Sequence, residues 1–397
     1  MGSKARSIAL ITLAQVLALS VWFAGAAALP AMNATTNLGN GLQAALTSSV
    51  QVGFVIGALL SAIFGLADRF DPRRIFAIGA LLAGAANAAA LFTEPGSVAM
   101  IASRAMAGAS LALVYPVGMK LAASWAKGDA GLLVGLLVGA LTLGSATPFA
   151  FNLFDIGIGW QTPFACSALA AGMAALAIGY STTGPAFKTG ATFDPKAALS
   201  AFRDPALRLA NFGYLGHMWE LYAMWAWMPV FLHAYFGAGQ TVAADMTAFS
   251  VVAIGAAGCL IAGWAADRYG RTTITMAAMS ISGCCALISG LLFGAPVWIL
   301  VPVLLVWGFS VVADSAQFSA SIAELCPPER AGTLLTIQTA TGFALTAAIV
   351  QLLPVWIEFS GWTYAFIPLA IGPAFGVWAM GRLRQRPESI RLAGGKR

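Results

Sequence analysis

The sequence predicts an all-α polytopic membrane protein, twelve transmembrane helices in two six-helix bundles. Three observations lead there: a composition too apolar to face water, apolar runs of spanning length between short polar loops, and one loop that is echoed half a chain later. Of 397 residues, 59% are hydrophobic and 9% are charged, with a mean hydropathy of +0.83. A soluble domain carries about 25% charged residues, because its surface must be hydrated. The 12 Trp, 24 Phe and 43 Gly suit a bundle with aromatic interfaces and close helix crossings.

A span needs roughly 20 apolar residues. Such runs occur near 7–29, 43–67, 74–93, 97–122, 130–153, 160–181, 208–236, 241–265, 272–293, 295–322, 332–354 and 361–381. The first is long enough to cross and has no small-residue cleavage site before the next segment, so it is read as span 1 rather than a signal peptide. With the N-terminus inside and the spans alternating, the inner segments hold Lys4, Arg6, Arg69, Arg73, Arg74, Lys127, Lys188, Lys196, Arg203, Arg208, Arg268, Arg271, Arg330 and the cluster Arg382 to Arg397. The outer loops hold only acids, such as Glu94, Asp155 and Glu358. Basic residues concentrate on the cytoplasmic side of membrane proteins, so both termini are expected in the cytoplasm of a multi-pass inner-membrane protein. The net charge of +6 is spread over loop ends and implies no nucleic-acid partner. The five cysteines form no CxxC pair, and no disulfide, metal or cofactor is expected.

The loop after span 2 reads Gly65-Leu-Ala-Asp68-Arg69-Phe-Asp71-Pro-Arg73-Arg74, and the loop after span 8 reads Gly263-Trp-Ala-Ala-Asp267-Arg268-Tyr-Gly270-Arg271. Asp68 and Asp267 stand 199 residues apart. A second echo relates Trp125 to Gly131 after span 4 with Leu325 to Gly332 after span 10. The longest hydrophilic stretch lies between the repeats. The expected organisation is an N-terminal bundle (1–182), a linker (183–207), a C-terminal bundle (208–382) and a tail (383–397).

These loops resemble the Asp-Arg loop motif of the major facilitator superfamily, and Arg104-Ala-Met-Ala-Gly108 is similar to its Arg-x-x-x-Gly pattern in helix 4. The resemblance covers essentially the whole chain. It implies a secondary transporter working by alternating access as a monomer in the lipid bilayer, with helices 1, 4, 7 and 10 lining the cavity. It does not imply an enzyme. Asp68, Arg69, Asp267, Arg268 and Arg271 become gating candidates, because an aspartate can engage the N-terminus of a neighbouring helix and an arginine can pair with nearby acids. The alternative is that they only flank spans. Span 5 and the stretch 313–341 are loosely similar to the nitrate/nitrite- or cyanate-porter-like branch, although the arginines and Gly-Asn motif of nitrate porters are absent.

Ionisable groups inside a membrane are costly and usually functional. Arg104 in span 4 could hold a substrate anion, lock a nearby acid such as Asp245, or bond a helix end. Glu220 and His217, three residues apart in span 7 among Tyr214, Trp219, Tyr222, Trp225 and Trp227, suit proton carriage or substrate contact, with an interhelical hydrogen bond as the alternative. Asp314, Gln317, Ser321 and Glu324 form a polar stripe on span 10, facing a cavity or a partner helix. Gln15, Trp22, Tyr115, Gln338 and Thr339 add polar lining. Asp245 is read as solvated or paired. Proton-coupled transport of a small, anionic organic solute is the first expectation, and proton-driven efflux of amphipathic or cationic compounds is the second.

Overall fold

A computed structural model describes residues 3–126, 130–154, 157–187 and 194–397. Lys127, Asp129, Asp155 and Lys188 lie outside the described residues, as do the side chains of Asp68 and Lys196. All regular structure in the described residues is helical. Eleven helices have the length and apolarity to cross a membrane. The twelfth, Pro205–Phe236, is 32 residues long, and its tryptophans, tyrosines, histidines and glutamate lower its hydropathy while most of it is buried. A helix that can keep such side chains in lipid faces protein.

In chain order the spans are α1 (Ser3–Leu19, resuming as Ala24–Thr36), α2 (Asn40–Phe64), α3 (Pro72–Ala89), α4 (Val98–Leu111, resuming as Tyr115–Ala123), α5 (Ala130–Phe151) and α6 (Thr162–Gly179). The second set is α7 (Pro205–Phe236), α8 (Thr241–Ala253, resuming as Gly255–Tyr269), α9 (Arg271–Ser289), α10 (Val297–Ser310, resuming as Ser315–Leu325), α11 (Pro328–Ser360) and α12 (Ile371–Arg384). A short helix, Pro195–Arg203, precedes α7. The sequence read α1, α4 and α10 as unbroken, because apolarity persists through each break.

Lipid offers no hydrophobic drive between helices, so contact depends on small residues that let backbones approach. In the first half α2 crosses α4 on Gly53, Gly57 and Gly108. A methyl group on Gly53 would lie 1.9 Å from Ala105 O, and one on Gly108 would lie 2.0 Å from Val50 O. The second half repeats the crossing between α8 and α10, where a methyl on Gly308 would lie 1.8 Å from Val251 O. The halves meet along α2 with α11 and along α5 with α8, where Gly139 packs against Ala256.

The backbone of the loop motif is set by glycine. Gly65 ends α2 with φ +61°, and Gly270 starts α9 with φ +99°. At the position equivalent to Gly270 the first half has Asp71, which caps α3 by accepting from Arg73 N at 2.9 Å. Arg73 also donates to it from Nε (3.1 Å) and Nη2 (2.7 Å), which holds the Asp71 carboxyl below the usual range.

Gly53→Ala should destabilise the protein by more than about 2 kcal/mol, while Gly172→Ala, with nothing near its new methyl, should leave stability unchanged. Thermal unfolding in detergent separates the two, and equal losses would refute the close crossing.

Candidate functional site

Arg104 is fully buried in α4. Its Nη1 donates to Asn87 Oδ1 of α3 at 2.6 Å, and its Nη2 donates to the carbonyls of Val21 (2.9 Å) and Trp22 (2.8 Å) at the break in α1. Phe164 of α6 lies 5.5 Å from the guanidinium. Asn87 in turn donates to Phe164 O at 2.9 Å. A helix break exposes carbonyls that have lost their helical donors, and a cation at that end is favoured. Asp245 is elsewhere: its Oδ1 takes His233 Nε2 at 3.1 Å and Asn152 Nδ2 at 3.1 Å. The expected Arg104–Asp245 pair therefore does not form, and α4 places the guanidinium inside the first bundle rather than on the central cavity.

Glu220 occupies the corresponding place in the second half. Its Oε1 accepts from Trp307 Nε1 of α10 at 2.7 Å, and its Oε2 accepts from Ser282 Oγ of α9 at 2.8 Å. His217, one turn earlier, does not share these partners. Its Nδ1 lies 2.8 Å from Asp314 Oδ1, at side-chain exposures of 1% and 2%. Asp314 is the residue from which the second segment of α10 starts, where the helix dipole favours an anion. His217 Nε2 has no hydrogen-bond partner among the described residues.

The polar stripe on α10 is thus divided. Asp314 turns to α7, whereas Gln317 and Glu324 both bind Arg271 of the loop motif. Arg271 Nη1 donates to Gln317 Oε1 at 2.7 Å, and Nε donates to Glu324 Oε2 at 2.8 Å. Ser321 bonds the carbonyl of Gln317 on its own helix. Asp267 is half exposed, 3.5 Å from Arg271, and a methyl on Gly131 in the first turn of α5 would lie 2.7 Å from its Oδ2. The second motif copy therefore reaches the other half at a helix N-terminus. Arg268 is exposed and lies over Trp264 and Tyr269, and Arg69 is exposed.

Between the halves lies a small cavity of about 40 Å³, enough for a few waters. Three tyrosines (Tyr115, Tyr214, Tyr222) and three hydroxyls (Ser315, Ser319, Thr339) line it together with apolar side chains, and no charged residue does. Tyr115 and Ser315 each follow a helix break, so the cavity lies toward the end of the bundle that carries the basic loops. Toward the other end it is sealed by aromatic rings. Trp22 lies 5.7 Å from Tyr222 and 5.1 Å from Phe343 of the second half, and 4.9 Å from Phe54 of its own. Trp225 stands edge-on to Phe23 and Tyr222. That same end has hydrogen bonds between halves, Gln351 Nε2 to Ser48 Oγ (2.7 Å), Asn40 Nδ2 to Glu358 Oε2 (3.2 Å), and Asn152 to Asp245.

Several buried polar atoms around the cavity have no partner among the described residues. They include both amide atoms of Gln15 and Gln338 and the indole nitrogens of Trp22 and Trp225. Gln15 is held by shape instead: a methyl on Gly118 would lie 2.0 Å from its Oε1. Buried polar groups are normally satisfied; these residues lie behind the cavity lining, Trp22 and Trp225 packing on Tyr222 and Gln338 preceding Thr339. Sequence reasoning missed Asn87, Ser282 and Trp307. Asn87 had a signal, as the one amide in an alanine-rich span. The other two are ordinary span residues until the fold brings them to Glu220.

The sequence profile of the Major Facilitator Superfamily matches residues 11–349. The chain belongs to that superfamily. It is a multi-pass membrane transporter rather than an enzyme. No curated protein sequence matches it. Among solved structures it is similar to the xylose transporter XylE from E. coli in a partially occluded inward-open conformation, with 14% identity, 96% of this chain and 99% of that one covered, and a TM-score of 0.77. A D-xylose-proton symporter matches at 17% identity, with 97% and 98% covered and a TM-score of 0.77. The inward-open form of XylE matches at 16% identity, with 95% of each chain covered and a TM-score of 0.69. At these identities the likeness concerns the fold. Superfamily membership accounts for the duplicated motif, the Arg-x-x-x-Gly pattern and a cavity between two bundles.

Arg104→Lys should lower stability by about 2–4 kcal/mol, since an ammonium lacks the planar fork that reaches Asn87 from Nη1 and the α1 carbonyls from Nη2 together. Asn87→Ala should cost less, and the double variant should fall short of the sum. Thermal denaturation of the three variants tests this, and additive losses would show that the two residues act separately.

Proposed function

We propose that the protein is a proton-coupled secondary transporter for a small, uncharged, hydrogen-bonding organic solute, working as a monomer by alternating access. The observation that carries the coupling is the His217–Asp314 pair, buried where α7 meets the break in α10 and adjoining the lining residue Ser315. A proton moved onto or off this buried contact changes what holds α7 to α10. A proton on Asp314 removes the attraction to His217 and the dipole interaction with the second segment of α10, freeing that segment to move. His217, Asp314 and the lining Tyr115, Tyr214 and Tyr222 are thus assigned to proton and solute, with Gln15, Trp22, Trp225 and Gln338 as further solute contacts.

An uncharged cargo follows from where the cation went. Arg104, the cation buried deepest in the spans, does not line the cavity, and its Nη1 and Nη2 bond Asn87 and two backbone carbonyls. The cavity lining instead offers six hydroxyls, from Tyr115, Tyr214, Tyr222, Ser315, Ser319 and Thr339, which bond neutral solutes in both directions. One structural neighbour, a D-xylose-proton symporter, agrees with this chemistry. Gln317, Asp267 and Arg271, with Asp68, Arg69 and Arg268, are proposed to act in the gate at the basic-loop end. We place that end and both termini in the cytoplasm, in the inner membrane.

Uptake into proteoliposomes, with and without an inward pH gradient, should be measured for panels of polyols and sugars, organic anions, and organic cations. The expected result is accumulation of an uncharged solute that Asp314→Asn reduces at least about 100-fold while solute exchange without a gradient persists. Full accumulation by Asp314→Asn would sink the coupling assignment. Accumulation of anions alone would sink the cargo class, and extrusion of amphipathic cations would favour efflux.

A further inference from the structure

We infer that Glu220 is a second proton-binding group, and that Ser282 is the hydroxyl switch that lets it gain and lose a proton without breaking the contact between α7, α9 and α10. This holds whatever the cargo is.

The geometry accommodates both protonation states. Glu220 Oε1 faces Trp307 Nε1 at 2.7 Å. An indole nitrogen only donates, so Oε1 is an acceptor whether or not the carboxyl is ionised. Oε2 faces Ser282 Oγ at 2.8 Å, and that same oxygen lies 3.2 Å from Met279 O. A hydroxyl carries one hydrogen and can also accept. With Glu220 ionised, the Ser282 hydrogen points to Oε2. With a proton on Oε2, Glu220 donates to Ser282 Oγ, and the serine hydrogen turns to Met279 O. Neither state leaves a buried polar atom of the network without a partner, and the only bond made or broken is one O–H.

A purely structural brace would have no use for the second arrangement. A donor-only group in place of Ser282 would leave a protonated Oε2 facing another hydrogen. The titratable groups near enough to influence it are Asp314 on α10, Cys285 on α9 and His217 on its own helix. The ionisable residues of α12, packed against α7, lie only in its last turn, at Arg382 and Arg384.

The test is pH-difference infrared spectroscopy on the purified full chain in lipid nanodiscs, with no solute present. A protonated-carboxyl band that Glu220→Gln removes should be present at acid pH and lost on going alkaline, within about pH 5–9. In Ser282→Ala the ionised form has one donor fewer, so the band should persist about one to two pH units further. Ser282→Thr should return it to the wild-type position, and Trp307→Phe should extend it as Ser282→Ala does. If Glu220→Gln does not fold, the bands displaced by the other variants identify the group. A Glu220 band present at every pH, or at none, overturns the inference, as does a Ser282→Ala spectrum with the band unmoved.

Discussion

The rest of this structure depends on one constraint: a charge inside a bilayer must be bonded by the protein, since no water is there to do it. Each half meets the constraint with one long side chain that ties three helices at the same depth. In the first half Arg104 joins α4 to α3 through Asn87 and to the broken α1 through two carbonyls. In the second, Glu220 joins α7 to α9 and α10. Val21, whose carbonyl receives the guanidinium, precedes Glu220 by 199 residues, the interval that separates the motif aspartates. The three-helix tie recurs in the second half, made by a carboxyl where the first half has a guanidinium.

Two halves tied internally can move as bodies, and the interfaces between them are of another kind. At the acidic-loop end they share hydrogen bonds from neutral amides to a hydroxyl and a carboxylate, together with tilted ring contacts. At the basic-loop end Asp267 approaches the start of α5, while Arg271 stays on its own half with Gln317 and Glu324. Bonds of this type exchange readily with water once parted, whereas the Arg104 and Glu220 ties have no alternative partner. The energetic difference separates what rocks from what stays fixed.

The fold was legible because membrane topology is written in composition. Span lengths, loop charges and the repeat are one-dimensional properties, and the observed helices follow them in number and order, with ends displaced most at α1, α11 and α12. The site was legible only in its ingredients. Arg104, Glu220, His217 and Asp314 announce themselves as ionisable residues in apolar runs, but their partners are set by helix rotation and by breaks that hydropathy cannot register. Glu220 and His217 share a face in sequence, yet they bond different groups because α10 presents Trp307 above its break and Asp314 at it. Likewise the stripe from Asp314 to Glu324 assumed an unbroken helix, and the break hands its first member to α7 and two others to Arg271.

The separation of Asp314 from Glu220 gives the two carboxyls opposite consequences on protonation. At Asp314 the proton cancels an ion pair and a favourable dipole contact, so the second segment of α10 loses what fixes it to α7. At Glu220 the serine turns and every contact persists. On this reading the first is where a proton performs conformational work, and the second is where one can be held while the helices stay in place. Asp314 precedes the lining residue Ser315 and meets His217, whose ring lies beside the lining Tyr214, while Glu220 faces α9 and α10. The first is therefore the carboxyl placed to respond to a solute, and coupling through it needs no charge on the solute.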